Sequence, residues 1–428
     1  MKLILTILFT LTFNVYSADK VLDFNEIWED IYAKSYDKIS LEEEQKANQE
    51  GKSRAQRHWL PNLYTEARYF STNDPTTVFF QHLGERSVVN SDFMPNELNN
   101  PSRATFLSSS IGLTLPLYEG GGKMAQVSFY DALMKSSQKQ IAAQKSQEFV
   151  KLGDQFGMLL ILNKSKRELT LLKDEINKLI SSYQIGVQNN PVGYSGLLGL
   201  RGVLNRISSL ILSHDLKISS AKKWIDEKLS SDKWQANTNL NLANFVDRNF
   251  SLEKDYSISN ALLAKNYQSE SLKVYSDIER SRFYPQVGLF AQNSFYNGSR
   301  ENDTSLAVGI YLRWDIFNND SYGRVSEAKA RYLSQEAKLA SLKQNERIDF
   351  YNLTSAKSTL IESLKILDDS EKILNEQAIN AIKLYRSGNL TGLQLAEVAN
   401  RRIDLIENKN RIEEDYLQTS TKIYFLGN

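Results

Sequence analysis

The longest stretch without a helix-breaking residue most constrains the fold of this chain. Gly323 and Gly388 are separated by 64 residues that include neither Gly nor Pro. A continuous helix over that stretch would be about 96 Å long at about 1.5 Å per residue, longer than a compact domain. Apolar and small residues recur in it at helical spacings, namely Leu360, Leu364, Leu367, Leu374, Ala378, Ala381 and Tyr385. This pattern predicts a helix that packs lengthwise on its neighbours.

The first half of the chain repeats the pattern in two consecutive runs. The runs are Leu169, Leu172, Ile176, Leu179 and Tyr183, then Leu197, Leu200, Leu204, Ile207 and Ile211. Helices of this kind also build fibrous coiled coils, so the helical segments alone leave that alternative open.

Between the helices the period changes to two, which is typical of half-buried strands. The alternation predicts four strands, at about 61–71, 106–118, 285–296 and 305–317. Charge on one strand face predicts a polar inner surface that includes Glu66, Arg68 and Arg313.

Aromatic residues cluster at both ends of the predicted strands. One level holds Trp59, Tyr118, Phe283, Tyr284, Trp314 and Phe317, and the other holds Tyr69, Phe70, Phe295 and Tyr296. Strands of about ten residues with aromatic girdles at both ends are typical of membrane-spanning β-barrels. A small soluble sandwich would explain the alternation but not both girdles.

The sequence contains an internal duplication. Ile111-Gly112-Leu113 matches Val308-Gly309-Ile310 at an offset of 197 residues, and Tyr183-x-x-Gly186 matches Tyr385-x-x-Gly388 at 202. The predicted repeats cover 18–240, with helices at about 121–188 and 194–230, and 241–428, with helices at about 256–282, 321–387 and 390–425. The first hairpin carries a long polar loop, 72–104, and the second a short one, 297–304. Duplication about a pseudo-symmetry axis explains two such interwoven copies.

Four strands are too few to close a membrane barrel, and an open edge in lipid is very costly. The chain is therefore expected to oligomerise. Two copies would give eight strands with an interior filled by side chains, and three would give twelve strands with room for a passage.

The amino terminus predicts export. Lys2 precedes an apolar run of about 11 residues, and small residues follow, so 1–17 is expected to be a signal peptide cleaved after Ser17. An uncleaved anchor is the weaker alternative, because a bilayer needs about 18 apolar residues or more. The absence of Cys excludes lipid attachment through an N-terminal Cys, and 52 basic against 51 acidic residues argue against a nucleic-acid partner.

Several segments, taken in their order along the chain, resemble the TolC-like outer membrane efflux protein family. They are Arg54-Ala55-Gln56-Arg57-His58-Trp59-Leu60-Pro61-Asn62-Leu63, Leu115-Pro116-Leu117-Tyr118-Glu119-Gly120-Gly121-Gly122, Trp314-Asp315-Ile316-Phe317 and Leu384-Tyr385-Arg386-Ser387-Gly388-Asn389-Leu390. The resemblance implies a mainly α fold with a membrane β part, in which a homotrimer shares a 12-stranded β-barrel in the outer membrane, continuous with an α-helical barrel in the periplasm. It also implies a periplasmic adaptor protein and, through it, an inner-membrane transporter, for efflux or type I secretion.

The resemblance implies roles for particular residues near the helix turns. Tyr183, Gly186, Tyr385 and Gly388 would form the periplasmic tip, and Glu397 with Gln394 would form rings at the pore constriction. Gln394 replaces one of two acidic residues typical of the family. A solvated helix carboxylate is the alternative for Glu397.

No constellation for catalysis or a cofactor stands out. His58, His82 and His214 are the only histidines, and none has a metal partner at helical or loop spacing. The sequence therefore predicts a passive export channel rather than an enzyme. A structural or adhesive envelope protein with a coiled-coil stalk is the alternative, and the cargo is not encoded in any pattern found.

Overall fold

The computed structural model describes residues 20–181, 191–231, 234–237, 240–251 and 255–428. The predicted signal peptide and the first tip turn, with Tyr183 and Gly186, lie outside these residues. The chain divides into two compact units. The helical unit takes in residues up to 40, 141–261 and 342–428, and the sheet unit takes in 41–140 and 262–341.

Ten helices account for most of the described chain. They are α1 (Phe24–Ala33), α2 (Tyr36–Gln56), α3 (Pro75–Gly84), α4 (Pro95–Asn99), α5 (Gly122–Ser181), α6 (Pro191–Leu229), α7 (Leu242–Asn249), α8 (Asn260–Ser281), α9 (Arg324–Arg386) and α10 (Gly392–Gly427). The stretch without Gly or Pro forms α9, which has 63 residues and is therefore about 95 Å long.

The described residues include six strands, which form two sheets. In the helical unit, β1 (Lys20–Leu22) pairs in parallel with β4 (Trp234–Ala236). In the sheet unit, β2 (Asn62–Thr72), β3 (Ala104–Glu119), β5 (Gln286–Asn297) and β6 (Asn302–Arg313) form one antiparallel sheet in the order β2-β3-β5-β6. The two hairpins thus join through β3 and β5, while β2 and β6 lie at the edges. The register between β3 and β5 shifts between Pro116 and Tyr118, because proline has no N–H for the ladder.

The rows of apolar residues predicted on the long helices pack against neighbouring helices in the helical unit. Buried side chains of α5, α6 and α10 form one apolar cluster with Ala381 of α9: Leu169, Leu172, Ile176, Leu179, Leu200, Val203, Ile207, Leu395, Ala396, Ala399 and Ile403. A second cluster lies along other parts of α5, α6 and α10 and includes Phe24, Phe156, Ile225, Trp234, Phe245 and Leu417. The helices are therefore held by two apolar cores.

Some element ends differ from the sequence-based bounds. Helix α8 begins at Asn260 rather than near 256, because Ser259 donates from its backbone N–H and its hydroxyl to Glu346 at 3.2 and 2.7 Å. Strand β6 ends at Arg313 rather than near 317. Beyond it, the Trp314 indole N–H donates to the Phe283 carbonyl at 3.2 Å, which turns the chain away from the ladder.

The loop predicted over 72–104 contains regular structure. Helices α3 and α4 and a 3-10 turn at Asn90–Phe93 lie between β2 and β3. Asp74 caps α3 by accepting from the Thr77 backbone N–H at 2.7 Å, and Pro75 occupies the first helical position. The helices of this segment are too short to show a hydrophobic period in the sequence, which predicted only a loop here.

A half-buried carboxylate in α5, that of Asp154, makes the stability of the helical unit depend on pH. Burial raises the pKa of Asp154 to about 6, and a hydrogen bond from the Thr421 hydroxyl at 2.8 Å opposes part of that rise. The folded chain thus takes up this proton at higher pH than the unfolded chain does. Stability should therefore increase as the pH falls through about 6 and level off below the usual aspartate value of about 4.

We expect Asp154→Asn to remove this pH dependence and to raise the unfolding free energy at pH 8 by about 1–2 kcal/mol. The midpoint of urea unfolding, followed by circular dichroism of the helices in detergent, measures both effects. Asp174→Asn, at an exposed position of the same helix, is the matched control and should leave the pH profile unchanged. An Asp154→Asn profile that overlays the wild-type profile would contradict this assignment.

Candidate functional site: the sheet faces and the turn between α9 and α10

The four-stranded sheet has one apolar face, and that face is uncovered. Cross-strand register places Leu63 beside Leu113, and Ala291 beside Val308. Seven large apolar side chains on this face are 61–78% exposed: Leu63, Tyr69, Ile111, Leu306, Val308, Ile310 and Leu312. A contiguous apolar surface of this kind marks contact with a membrane or with another protein.

The opposite face is polar. The register aligns Glu66 with Ser110, Ser110 with Ser294, and Ser294 with Ser305 in one row. Arg68 donates to Glu66 Oε1 at 2.6 Å, and Arg313 lies 3.5 Å from Asp315. The structure thus places the three predicted lumen residues, Glu66, Arg68 and Arg313, on one face. That this face lines a lumen stays a prediction for an assembled channel.

Aromatic rings cover glycines on the polar face. A Cβ atom at Gly112 would collide with the Tyr64 ring, and one at Gly309 would lie 2.8 Å from the Phe290 ring. Any larger residue would displace these rings. The glycines of the repeated apolar-Gly-apolar pattern therefore give room for cross-strand rings, which fix the strand register.

The six girdle residues lie at one end of the sheet, where β2 and β5 begin and where β3 and β6 end. All six are exposed: Trp59, Tyr118, Phe283, Tyr284, Trp314 and Phe317. Exposed aromatic rings at a strand end are typical of the boundary between lipid and water.

The sheet is open at both edges. Among the described residues, no strand pairs with the outer edge of β2 or of β6, which have 11 and 12 residues. Edges this long present rows of free backbone N–H and C=O groups. In the parts of the chain that the structure covers, no helix is both long enough and apolar enough to cross a bilayer.

The predicted tip turn between α9 and α10 places Gly388 in the left-handed backbone conformation that favours glycine. Gly388 has a φ of +78°, and its N–H donates to the Tyr385 carbonyl at 3.1 Å. The Asn389 N–H donates to the Leu384 carbonyl at 2.9 Å, which completes a helix C-cap. Helix α10 then begins with a capping box between Thr391 and Gln394.

Gln394 and Glu397 lie on the exposed side of α10, while Leu395, Ala396 and Ala399 pack into the core. Gln394 Oε1 accepts from the Thr391 backbone N–H at 3.0 Å, so the amide has a local structural role. Glu397 Oε1 lies 3.3 Å from Arg401 Nε. A ring at the pore constriction requires further copies of the chain and stays a prediction.

Ion pairs that the sequence analysis missed hold α10 against its neighbours. Arg206 of α6 donates to Asp404 and Glu407, both at 2.6 Å. Arg402 of α10 donates to Glu175 of α5 at 2.8 Å. Arg206 and Arg402 occupy matching positions of the two repeats, 196 residues apart, and this offset is the one signal that could have singled them out.

Lys409 of α10 is a further buried attachment point. Its ammonium lies 2.6 Å from both Asp368 and Glu371 of α9. Burial by itself would lower the pKa of Lys409, but the hydrogen bonds to these carboxylates outweigh burial and raise it. The lysine therefore stays charged, and it fixes the α9–α10 contact.

The histidines have structural partners. His58 and His214 each lie within hydrogen-bond distance of a backbone carbonyl, of Ala55 at 2.9 Å and of Leu210 at 2.7 Å. His82 is buried beside Glu85, with 3.2 Å between Nδ1 and Oε2. Within the described ranges, no group of three or more His, Asp or Glu residues is arranged to hold a metal ion.

Comparisons with known proteins identify the fold. No family model and no curated protein matches the sequence. Solved structures do match: CusC, described as forming a transmembrane channel, has a TM-score of 0.76 at 12% identity over 97% of this chain and 96% of that one. VceC of Vibrio cholerae, an outer membrane protein, has a TM-score of 0.75 at 12% identity, over 95% of this chain and 96% of VceC. The Campylobacter jejuni outer membrane channel CmeC has a TM-score of 0.73 at 14% identity, over 94% of this chain and 85% of CmeC.

The chain has the TolC-like fold. The match extends over 94–97% of this chain and 85–96% of those chains, so it takes in both the long helices and the four-stranded sheet. This TolC-like fold replaces the alternatives of a fibrous coiled coil and a small sandwich. These similar structures are described as two channels and an outer membrane protein.

Adjacent residues of β6 give a direct test of the two sheet faces. We expect Val308→Arg, on the apolar face, to destabilise membrane-inserted protein by about 2–4 kcal/mol and to lower its amount in outer membranes. Ala307→Arg, on the polar face of the same strand, is the matched control and should insert normally. Fractionated membranes probed with an antibody measure the amounts. Equal loss of both variants would contradict the assignment of the faces.

Proposed function

We propose that the chain is the outer membrane channel component of a tripartite efflux pump or a type I secretion system. Three copies share a 12-stranded β-barrel in the outer membrane, and their long helices form a tunnel in the periplasm. A periplasmic adaptor protein joins this tunnel to an inner-membrane transporter, which supplies the energy. Substrates pass through the channel passively to the exterior.

The open, two-faced sheet is the observation that carries this proposal. An apolar face with a girdle of aromatic rings suits lipid, and a face with Glu66, Arg68 and Arg313 suits water. Both edges must be paired before such a sheet can lie in a bilayer. Because β2 and β6 run in opposite directions, β6 of one copy can pair antiparallel with β2 of the next. Three sheets of four strands then enclose a water-filled lumen.

The helices support the same assembly. Helix α9 packs Ala378 and Ala381 into the core, yet another side presents Ile366 and Ile373, which are seven residues apart and 62% and 67% exposed. Branched apolar residues repeated along a helix are typical of a contact surface. We assign this row to contacts between copies of the chain in the tunnel wall.

Planar bilayer recording of the mature protein tests the proposal. We expect discrete conductance steps from protein that migrates as a trimer in mild detergent. The conductance should be small when the periplasmic tip is closed. A monomer without conductance would contradict the channel and would favour a structural or adhesive envelope protein, which also predicts no drug or secretion phenotype on deletion.

The same recordings test the predicted constriction. Glu397→Gln removes three negative charges from a trimer, so the concentration of divalent cation needed for half-block should rise by roughly tenfold. Glu376→Gln, at an exposed position of α9, is the control and should leave the block unchanged. An unchanged block in Glu397→Gln would place Glu397 outside the constriction.

A further inference from the structure

The segment between β2 and β3, residues 73–103, folds into a small body that we name the cap. It holds α3, the turn at Asn90–Phe93 and α4. The cap lies at the sheet end away from the six girdle residues, since β2 ends and β3 begins there. Thr72 and Ala104 are directly paired in the ladder, so the whole cap is an excursion from one hairpin.

The cap packs on the polar face of the sheet. The His82 ring lies 5.5 Å from the ring of Phe106, which is fully buried and pairs in register with Phe70. Phe70 is two residues after Arg68 and therefore shares its face. Gly84 of α3 touches Tyr296, where a Cβ would lie 2.7 Å from the ring, and Tyr296 pairs with Ser108 on the same face.

Ion pairs fasten the cap to the second hairpin. Arg300, in the turn between β5 and β6, donates to both carboxylate oxygens of Asp92 at 2.7 and 2.8 Å. These hydrogen bonds outweigh burial and lower the pKa of Asp92 to about 2, so the pair is ionised at any physiological pH. Arg86 forms a second pair with Asp303 of β6 at 3.1 Å.

The junction between the cap and the second hairpin is closely packed. Glu85 is fully buried, accepts from the Ser87 hydroxyl at 3.2 Å, and lies so near Gly298 that a Cβ there would collide with its carboxylate. A cavity of about 570 Å³ remains between the cap and the turn of the second hairpin, lined in part by Phe79, His82 and Arg300. The cap is thus attached by aromatic contacts and two ion pairs, and Glu85 packs closely against Gly298.

We propose that the cap is a built-in plug that narrows the barrel lumen at its distal end and limits the size of solutes that leave. This inference rests on the proposed function, because the polar face becomes a lumen only in a closed barrel. The cap covers the distal end of that face, at Phe106 and Tyr296, and leaves Leu306, Val308 and Ile310 on the opposite face uncovered. Three caps therefore project inward, where the aqueous path must pass them.

The chain contains no cysteine, so single introduced cysteines can test access from outside intact cells. Ser110→Cys places a thiol on the polar face in the middle of β3, in register with Glu66. Labelling uses a small charged thiosulfonate and a bulky polyethylene-glycol maleimide. The backgrounds are the wild-type cap, the double variant Asp92→Asn/Arg300→Gln, and a deletion that replaces 73–103 by Asn-Gly, a two-residue turn suited to the Thr72–Ala104 pair.

With the wild-type cap we expect the small reagent to label Ser110→Cys and the bulky reagent to label it slowly. Deletion of the cap should raise the bulky-reagent rate by at least roughly tenfold, and the double variant should raise it by a smaller factor. Asn302→Cys, at the distal start of β6, should be labelled by both reagents in every background. Val308→Cys on the apolar face should be labelled in none.

The outcomes separate the plug from the channel. Equal bulky-reagent rates at Ser110→Cys with and without the cap would overturn the plug while leaving the channel intact. Absence of labelling at Asn302→Cys with the wild-type cap would show that the sheet does not reach the cell surface, which overturns both proposals. If the deletion variant does not reach the cell surface, the double variant Asp92→Asn/Arg300→Gln tests the plug instead. An unchanged bulky-reagent rate at Ser110→Cys in that background would overturn the plug.

Discussion

The unpaired backbone at the two edges of the four-stranded sheet is the constraint on which the rest of the structure depends. Within a bilayer there is no water to satisfy free N–H and C=O groups, and each unsatisfied group costs several kcal/mol. Strands β2 and β6 expose such rows beside an apolar face that is itself uncovered. One chain therefore holds a third of a proposed barrel, and its membrane function requires other copies.

The helices also leave apolar surface uncovered, and they are held together by apolar packing and by ion pairs. Helix α9 buries a seam of small and apolar residues within its own chain and leaves Ile366, Ile373 and Ile379 uncovered. Around α10 the contacts are held by charged pairs, with Arg206, Arg402 and Lys409 as the central cations. The partly exposed pairs of Arg206 can be exchanged at lower cost than an apolar core, whereas the pairs of the buried Lys409 hold α10 firmly to α9.

The sequence predicted those features that repeat at short range. Period-two alternation located all four strands of the large sheet to within a few residues, and the seam at Leu360 to Tyr385 packs as its spacing indicates. The ends of helices and strands were less predictable, because hydrogen bonds between distant segments set them. Ser259 donates to Glu346 at the start of α8, and Trp314 donates to the Phe283 carbonyl beyond the end of β6. The α10 ion pairs depend on the register between helices far apart in sequence, and the cap depends on tertiary packing around Phe106, so neither leaves a periodic signal.

The most direct test of the central claim is disulfide cross-linking between sheet edges in outer membranes. Ala67→Cys on β2 is combined in turn with cysteines replacing Leu306, Val308 and Ile310 on the same apolar face of β6, and with Ala307→Cys on the opposite face as the control. Three copies closing one barrel predict oxidised products that end at a trimer, from one of the apolar-face pairs and not from the Ala307→Cys pair. Products that end at a dimer, continue beyond three copies, or never form would contradict the shared barrel.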